Sequence, residues 1–312
     1  MARLDVCVVG EINPDLILYG PPKNLEPERE TLIRGYRLTL GSSSAIFAHN
    51  LSALGSRVGM ASKVGKDTLG QMALEWLSSG GVDVTHVRSS ARDVSTGLTV
   101  ILAHERERFI LTYPGAIFDL RYEDIDLDYV FSARHLHVAS YFLQRGLRPK
   151  VPALLCEAKR RGLTTSLDTN DDPDGIWGGD VRSVLDQVDI LFPNEREARA
   201  IAQTESVESA IAWLSERVGI VAVKCGSQGA SARKGRNEWR CLPIRVTAVD
   251  TVGAGDSFDA GFVHRFLEGA SVEACLAHAN LAGAYSTTCD GGIEAYRDRA
   301  GMKKFFREHA GA

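Results

Sequence analysis

The 312-residue chain has no run of eighteen uninterrupted apolar residues, the least a membrane-crossing helix requires. It also lacks an excess of positive charge. Its 36 Lys+Arg stand against 40 Asp+Glu, a net charge of −4, which offers no general attraction to nucleic acid or anionic membrane. The basic spot Lys159-Arg160-Arg161 is short and reads as a solvated helix end. The six cysteines, Cys7, Cys156, Cys225, Cys241, Cys275 and Cys289, form no CxxC and no metal-ligand spacing. They read as reduced thiols of a cytoplasmic protein, several of them packed as small hydrophobes. The opening MARLDVCVVG turns polar too soon for a signal peptide. There is no internal repeat, no low-complexity tract and no proline- or serine-rich linker.

Two phosphate-binding devices are missing as well. Gly253-Ala254-Gly255 has no third glycine at the spacing of a dinucleotide fingerprint. Gly65-Lys66 resembles the end of a P-loop, but Met60 stands where that loop needs glycine and Asp67 where it needs Ser or Thr. Any phosphoryl transfer here must therefore use another scheme.

What is present is a strand–helix alternation. Asp5–Val9, Arg57–Ala61, Leu136–Ala139, Thr164–Leu167, Asp189–Phe192 and Ile220–Lys224 read as short buried strands. Helical patterns fall at Ser44–Leu54 (closed by Gly55), Thr68–Ser79 (closed by Gly80-Gly81), about 149–161, Glu195–Ala202 and Val207–Arg217. This order implies a mostly parallel sheet covered on both faces. Two stretches break it, about 14–40 and about 95–113, which read as strands and hairpins without helices between them. In the second, Leu98, Val100 and Leu102 alternate with Thr99 and Ile101. The economical reading is one α/β domain, 1–312, carrying a small β lid that excludes water from a reacting centre. Simple edge strands on the main sheet are the alternative.

The glycine turn Gly253-Ala254-Gly255 precedes an apolar helical face of Phe258, Phe262 and Phe266. Free amides and the positive end of the helix dipole meet there, and glycine lets a ligand approach, which makes an anion site. Asp256 behind the turn has two readings. It is a helix N-cap, or it is a general base that takes the proton of an attacking hydroxyl while the amides hold phosphoryl oxygens.

The stretch Val249–Phe262, reading VDTVGAGDSFDAGF, resembles the C-terminal signature of the ribokinase-like (PfkB) carbohydrate kinases. Further blocks resemble the same family in the same order over about residues 4–300: Val9–Asp15, Gly41–Gly55, Val64–Gly70, Gly81–Asp83, Tyr113–Ala116, Phe192–Ala198 and Gly226–Gly229. The resemblance implies a ribokinase-like three-layer α/β/α sandwich and transfer of the γ-phosphoryl of ATP, with magnesium, to a sugar or nucleoside hydroxyl. It implies Asp256 as the base and Gly253, Ala254 and Gly255 as the anion hole. Asp15, with Asn13, Gly41, Ser42 and Ser43, would hold the acceptor, a carboxylate suiting a vicinal diol. Lys224, Gly226, Ser227, Gly229 and Asn280 would hold the nucleotide. Asn194 and Glu197 would order the waters of magnesium; by pattern alone they are a helix N-cap and its capping-box partner. Asp250, Thr287, Asp290 and Gly292 match a site that takes a monovalent cation such as potassium in some members.

Departures from the family pattern bear on the acceptor. Ser42 stands for the second of paired glycines and Ile46 for an asparagine. Kinases of acidic sugars often carry arginine two residues after the asparagine of Asp168-Thr169-Asn170. This chain instead reads Asp171-Asp172-Pro173-Asp174, carboxylates that would repel an anion. The expectation is a neutral sugar, or a nucleoside if an aromatic platform is built from Tyr19, Tyr36, Phe109 and Tyr141. Arg106 and Arg108 could reach an acidic group but read first as exposed strand charges. A non-catalytic sugar sensor is the alternative of another class, and retention of Asp256 argues against it. Exposed lid strands needing cover suggest a homodimer.

Overall fold

The computed structural model describes residues 3–91, 93–104, 107–177 and 179–309. Arg106, one of the two lid arginines named above, lies outside the described residues. The strands run β1 Val6–Val9, β2 Pro14–Tyr19, β3 Gly35–Leu40, β4 Val58–Ala61, β5 Lys63–Val64, β6 Arg88–Ser89, β7 Leu98–His104, β8 Glu107–Tyr113, β9 His135–Val138, β10 Thr164–Leu167, β11 Ile190–Leu191, β12 Ile220–Lys224, β13 Ala230–Lys234 and β14 Asn237–Cys241.

Eight strands form the central sheet in the order β14-β13-β12-β11-β10-β9-β1-β4. From β4 to β12 every neighbouring pair is parallel, and β13 and β14 return antiparallel. The parallel strands are buried on both faces. Cys7, Val9, Leu136 and Leu167 pack with the helix Val151–Arg160 on one side, and Val6, Val8, Met60 and Ile190 pack with the helices Ser43–Leu54 and Ala254–Leu267 on the other. Apolar residues on both strand faces are what a parallel sheet between two helical layers requires. The helix boundaries follow from capping. The N-cap Asp67 accepts from Gly70 N, and Gly55 ends its helix at φ 113°, a conformation that favours glycine.

The two stretches that broke the rhythm form a separate four-stranded sheet, β3-β2-β7-β8. None of these strands pairs with the central sheet, which removes the edge-strand alternative. The register sorts the side chains into two faces. Asp15, Thr99 and Thr112 share one row, and Ile17, Ile101 and Ile110 the next. This inner face packs Ile17 and Ile101 onto Val252, in the loop before the glycine turn. The outer face carries Leu16, Leu38, Val100 and Leu111 in one row and Leu18, Tyr36, Leu102 and Phe109 in another.

Candidate active site

The glycine turn sits at the C-terminal end of the parallel sheet, under the inner face of the second sheet. Gly253 has φ 71° and is the N-cap of the helix Ala254–Leu267. A Cβ there would lie 2.6 Å from Gly292 Cα, so only glycine fits. Asp256 is therefore in the first turn, not at the N-cap, and the capping role considered for it is not what the fold uses. Among the described residues the amides of Gly253, Gly255 and Asp256 meet no protein acceptor, and Ala254 N reaches the Thr251 carbonyl only at 3.4 Å. Three unpaired amides at the positive end of a helix make a cradle for an anion. Ala254 N, whose carbonyl contact is long, lies beside them in the same turn.

Beside the cradle lies a cavity of about 450 Å³ lined by Asp256, Gly253, Asp15, Asn13, Ser42 and Ser43, among others. The Ser43 hydroxyl beside Asp256 acts to lower its carboxyl, and that hydroxyl accepts from Asn170 Nδ2. Burial first, and then the charge of Asp168, push the Asp256 carboxyl up to about 7. Asp15 is pushed up to about 8, by burial first and then by Asp256 and Asp250. Asn13 Nδ2 donates to Asp15 Oδ1 at 3.4 Å and to Thr99 Oγ1 at 3.2 Å. A Cβ on Gly41 would meet Asp15 Oδ1 at 1.9 Å, so glycine there makes room for the carboxylate.

The departures in this segment have visible consequences. Ser42, standing for glycine, still takes φ 59°, and its hydroxyl secures it by donating to the Glu11 carbonyl while accepting from Ala45 N as the N-cap of Ser43–Leu54. Ile46 packs its side chain on Gly253 and Gly292, giving the cradle an apolar wall where an amide was expected.

Glu11, Ser140 and Asn170 are among the lining residues that sequence reasoning missed. Glu11 accepts from Ser44 N, Ser44 Oγ and Ser140 Oγ. Ser140 and Asn170 both take positive φ, 50° and 52°, at the ends of β9 and β10, and are joined at 3.0 Å by Asn170 Nδ2 donating to Ser140 Oγ. Non-glycine residues in this conformation gather at functional sites, but nothing local in the sequence marks them. Of Tyr19, Tyr36, Phe109 and Tyr141, none lines the cavity, whereas Phe118 does. The aromatic platform considered for a base is therefore not assembled from those four.

The residues assigned to the nucleotide lie outside this cavity, Lys224 and Gly226–Gly229 at the end of β12 and Asn280 in the helix Val272–Ser286. Gly226–Gln228 forms a short 3-10 turn with Gly226 and Gly229 at positive φ, and Asn280 Nδ2 donates to the Leu242 carbonyl at 2.7 Å. Lys224 is not extended toward solvent. Its Nζ donates to Asp168 Oδ2 at 2.8 Å and lies 3.4 Å from Asp259 Oδ2, directly under Gly255. Burial opposes the charge on Asp168, but the Lys224 ammonium and its hydrogen bonds outweigh burial and hold that carboxyl below its usual range. Burial raises Asp259 well above its own range despite the lysine.

Asn194 caps the helix Glu195–Ala202 in a full capping box, with Glu197 accepting from both the amide and the side chain of Asn194. Burial first, then Asp168, push Glu197 up to about 7. Among the described residues no three His, Cys, Asp or Glu side chains could ligate a metal directly. The hard oxygens of Asn194 and Glu197 fit magnesium only through its own waters, the mode that ion favours. The residues of the monovalent-cation set are tied into the protein's own hydrogen bonds. Both Asp250 oxygens accept protein donors, from Val252 N, Gly291 N and Tyr19 Oη. The Thr287 carbonyl accepts from Val249 N and Asp250 N, the Gly292 carbonyl accepts from Asn50 Nδ2, and Asp290 lies 3.8 Å from Arg37. These hydrogen bonds knit the loop, and no step is assigned to potassium.

The model of the pfkB family carbohydrate kinases matches residues 3–299. The chain is 31% identical over 287 residues to the ATP-dependent ribose-1-phosphate kinase of Halopiger xanaduensis, covering 92% of this chain and 93% of that one. It is 26% identical to the ribokinase of Haemophilus influenzae over 99% of its own length and 100% of that protein's. The structure of Arabidopsis thaliana ribokinase complexed with ribose and ATP superposes with a TM-score of 0.84 at 26% identity, covering 98% of this chain and 99% of that one. Unpaired amides at a helix start, a carboxylate beside them on a cavity and a family match over nearly the whole chain meet in one conclusion: the chain belongs to the pfkB family of carbohydrate kinases.

Proposed function

We propose that this ATP-dependent kinase transfers the γ-phosphoryl group to a hydroxyl of a small sugar by in-line attack, with Asp256 as general base. The observation that carries the reading is the placement of Asp256. Its carboxyl opens into the acceptor cavity one residue beyond the unpaired Gly255 amide, so base and anion cradle flank one reacting centre. Asp15 and Asn13 orient the acceptor hydroxyls. The Gly253, Gly255 and Asp256 amides hold the phosphoryl oxygens as charge builds on them. Magnesium bound with ATP, its waters ordered by Asn194 and Glu197, would offset phosphate charge. The β2-β3-β7-β8 sheet acts as a lid, its Ile17–Ile101–Val252 contact coupling closure to the loop that carries the cradle. A sugar is favoured over a nucleoside because, among the described residues, Phe118 is the one aromatic side chain lining the cavity. The six cysteines are free, which fits the reducing cytoplasm. The test is ADP release measured with ATP, magnesium and a panel of sugars, sugar phosphates, sugar acids and nucleosides. A single class of sugar stimulating release supports the reading, whereas acceptor binding with no stimulated release by any compound makes the chain a sensor.

The outer lid face supports a homodimer. Tyr36 is 72% exposed, Leu111 59% and Tyr113 56%, and they stand on the edge strands β3 and β8, whose unpaired backbone also calls for cover. A second copy of the chain supplies a matching apolar face. Light scattering behind size exclusion at micromolar concentration is expected to give twice the mass of one chain, and Leu111→Lys is expected to give a single-chain mass. A single-chain mass for the parent protein overturns the dimer.

A further inference from the structure

The charges around the acceptor cavity do not cancel once each is followed to its partner. Four carboxylates, Glu11, Asp15, Asp171 and Asp256, and two guanidiniums, Arg108 and Arg145, line it. Glu11 is saturated by the two serines and the Ser44 amide described above. Asp171 accepts from Arg196 at 2.8 Å, and that guanidinium is fixed over the Trp177 ring at 5.6 Å. The rest of the acidic run is spent too. Asp172 accepts the amides of Asp174, Ile176 and Trp177, and both Asp174 oxygens accept from Arg145 Nη2, at 2.9 and 3.0 Å. The repulsion expected of Asp171–Asp174 is therefore largely neutralised, which removes the ground for preferring a neutral acceptor. The raised carboxyls of Asp15 and Asp256 weaken it further at neutral pH.

The arginines are in the opposite position. Arg145 spends only Nη2 on Asp174, and its Cζ lies over the ring of Phe118, another cavity residue, 4.7 Å from the centroid. Packing and one carboxylate thus position the half-exposed side chain, while Nη1 and Nε meet no acceptor among the described residues. A guanidinium placed in this way keeps its Nη1–H and Nε–H donors, and its full charge, for an anion. Arg108 pairs in register with Ala103, and alternation along β8 puts it on the face of Ile110 and Thr112, turned to the cavity and away from Phe109 and Leu111. Among the described residues no carboxylate lies within ion-pair reach of it. It stands two rows along the lid from Asp15, so a molecule whose hydroxyls reach Asp15 and Asp256 extends its far end toward it.

We propose that the acceptor carries an anionic group, a phosphate monoester or a carboxylate, in addition to the hydroxyl it offers, and that Arg108 and Arg145 recognise that group. The proposal rests on the kinase reading and names the substrate class of the same site. The test is kcat/KM for a neutral pentose, its phosphate monoesters and sugar acids, with the parent protein, Arg108→Met, Arg145→Met and the charge-keeping Arg145→Lys. The parent is expected to prefer an anionic acceptor, the better of phosphate and carboxylate telling which group the site takes. Each Met variant is expected to lower the anionic-to-neutral preference about 10- to 100-fold, the loss of hydrogen bonds to a charged group. The loss is expected in KM for the acceptor and not in KM for ATP, with Arg145→Lys recovering part of it. A neutral sugar as best acceptor, or an unchanged preference in both Met variants, overturns the proposal and leaves the kinase standing. No stimulated ADP release with any acceptor overturns the kinase reading, and this one with it.

Discussion

Asp256→Asn is expected to lower kcat by about 10²- to 10⁴-fold, the range spanned by a lost general base, with KM for ATP little changed. The amide keeps the size and the contact with the Ser43 hydroxyl but takes no proton, so what disappears belongs to the transition state. Steady-state kinetics with a saturating acceptor checks this, and turnover comparable to the parent removes Asp256 from the mechanism. The pH profile gives a second handle. Burial raises this carboxyl to about 7, and only the deprotonated form accepts a proton from the sugar. kcat/KM is therefore expected to rise with pH through about 7 and then level off, a limb that the Asn variant lacks. Stability moves the other way. The folded carboxyl holds its proton up to about 7 while the unfolded one releases it near 3.8, so the stabilising effect of the proton is complete below about 3.8 and is lost as pH rises through about 7. The Asn variant is expected to melt higher than the parent at pH 8, with the two converging as the pH approaches 4.

The elements legible in the sequence were those written in local pattern. Apolar β-branched runs marked β1, β4, β9, β10 and β12, and glycines marked the helix ends, because burial on both faces and the αL conformation each leave a signal a few residues long. The hairpin β13–β14 left none. Asn237, Glu238 and Arg240 are exposed on an edge strand, where solvent places no demand on side-chain type. The cradle was legible because one short segment carries glycine turn, carboxylate and helix start together. Its surroundings were not. Ser140 and Asn170 come from two strand ends and meet Glu11 and Ser43 only through the topology, and Arg145 reaches the cavity from a turn with no motif at all. The acidic run Asp171–Asp174 misled for the same reason. Its formal charge is plain in the sequence, but Arg145, Arg196 and three backbone amides neutralise it from other parts of the chain.

Lys224 shows where a motif names a position and the fold supplies its work. A lysine at a strand end before a glycine turn reads as a nucleotide contact, yet its ammonium is buried between Asp168 and Asp259, from β10's end and from the helix that bears Asp256. Asp259 follows Asp256 by three residues on one helix face, so this cluster fixes the first turn of that helix against the sheet. Removing one member of a buried pair leaves the other charge without compensation, which costs about 3–5 kcal/mol. Lys224→Met keeps the length of the side chain and strands the Asp168 carboxylate, so urea unfolding is expected to show a loss of about that size. The loosened helix start is expected to lower kcat as well. Asp168→Asn in the Lys224→Met background removes the stranded charge and is expected to recover part of the stability but little of the activity, since Asp259 still has nothing to hold it. An unfolding midpoint unchanged in Lys224→Met, with KM for ATP raised, returns the lysine to the nucleotide. A lowered midpoint rescued by the second substitution assigns it to the frame that aims the base.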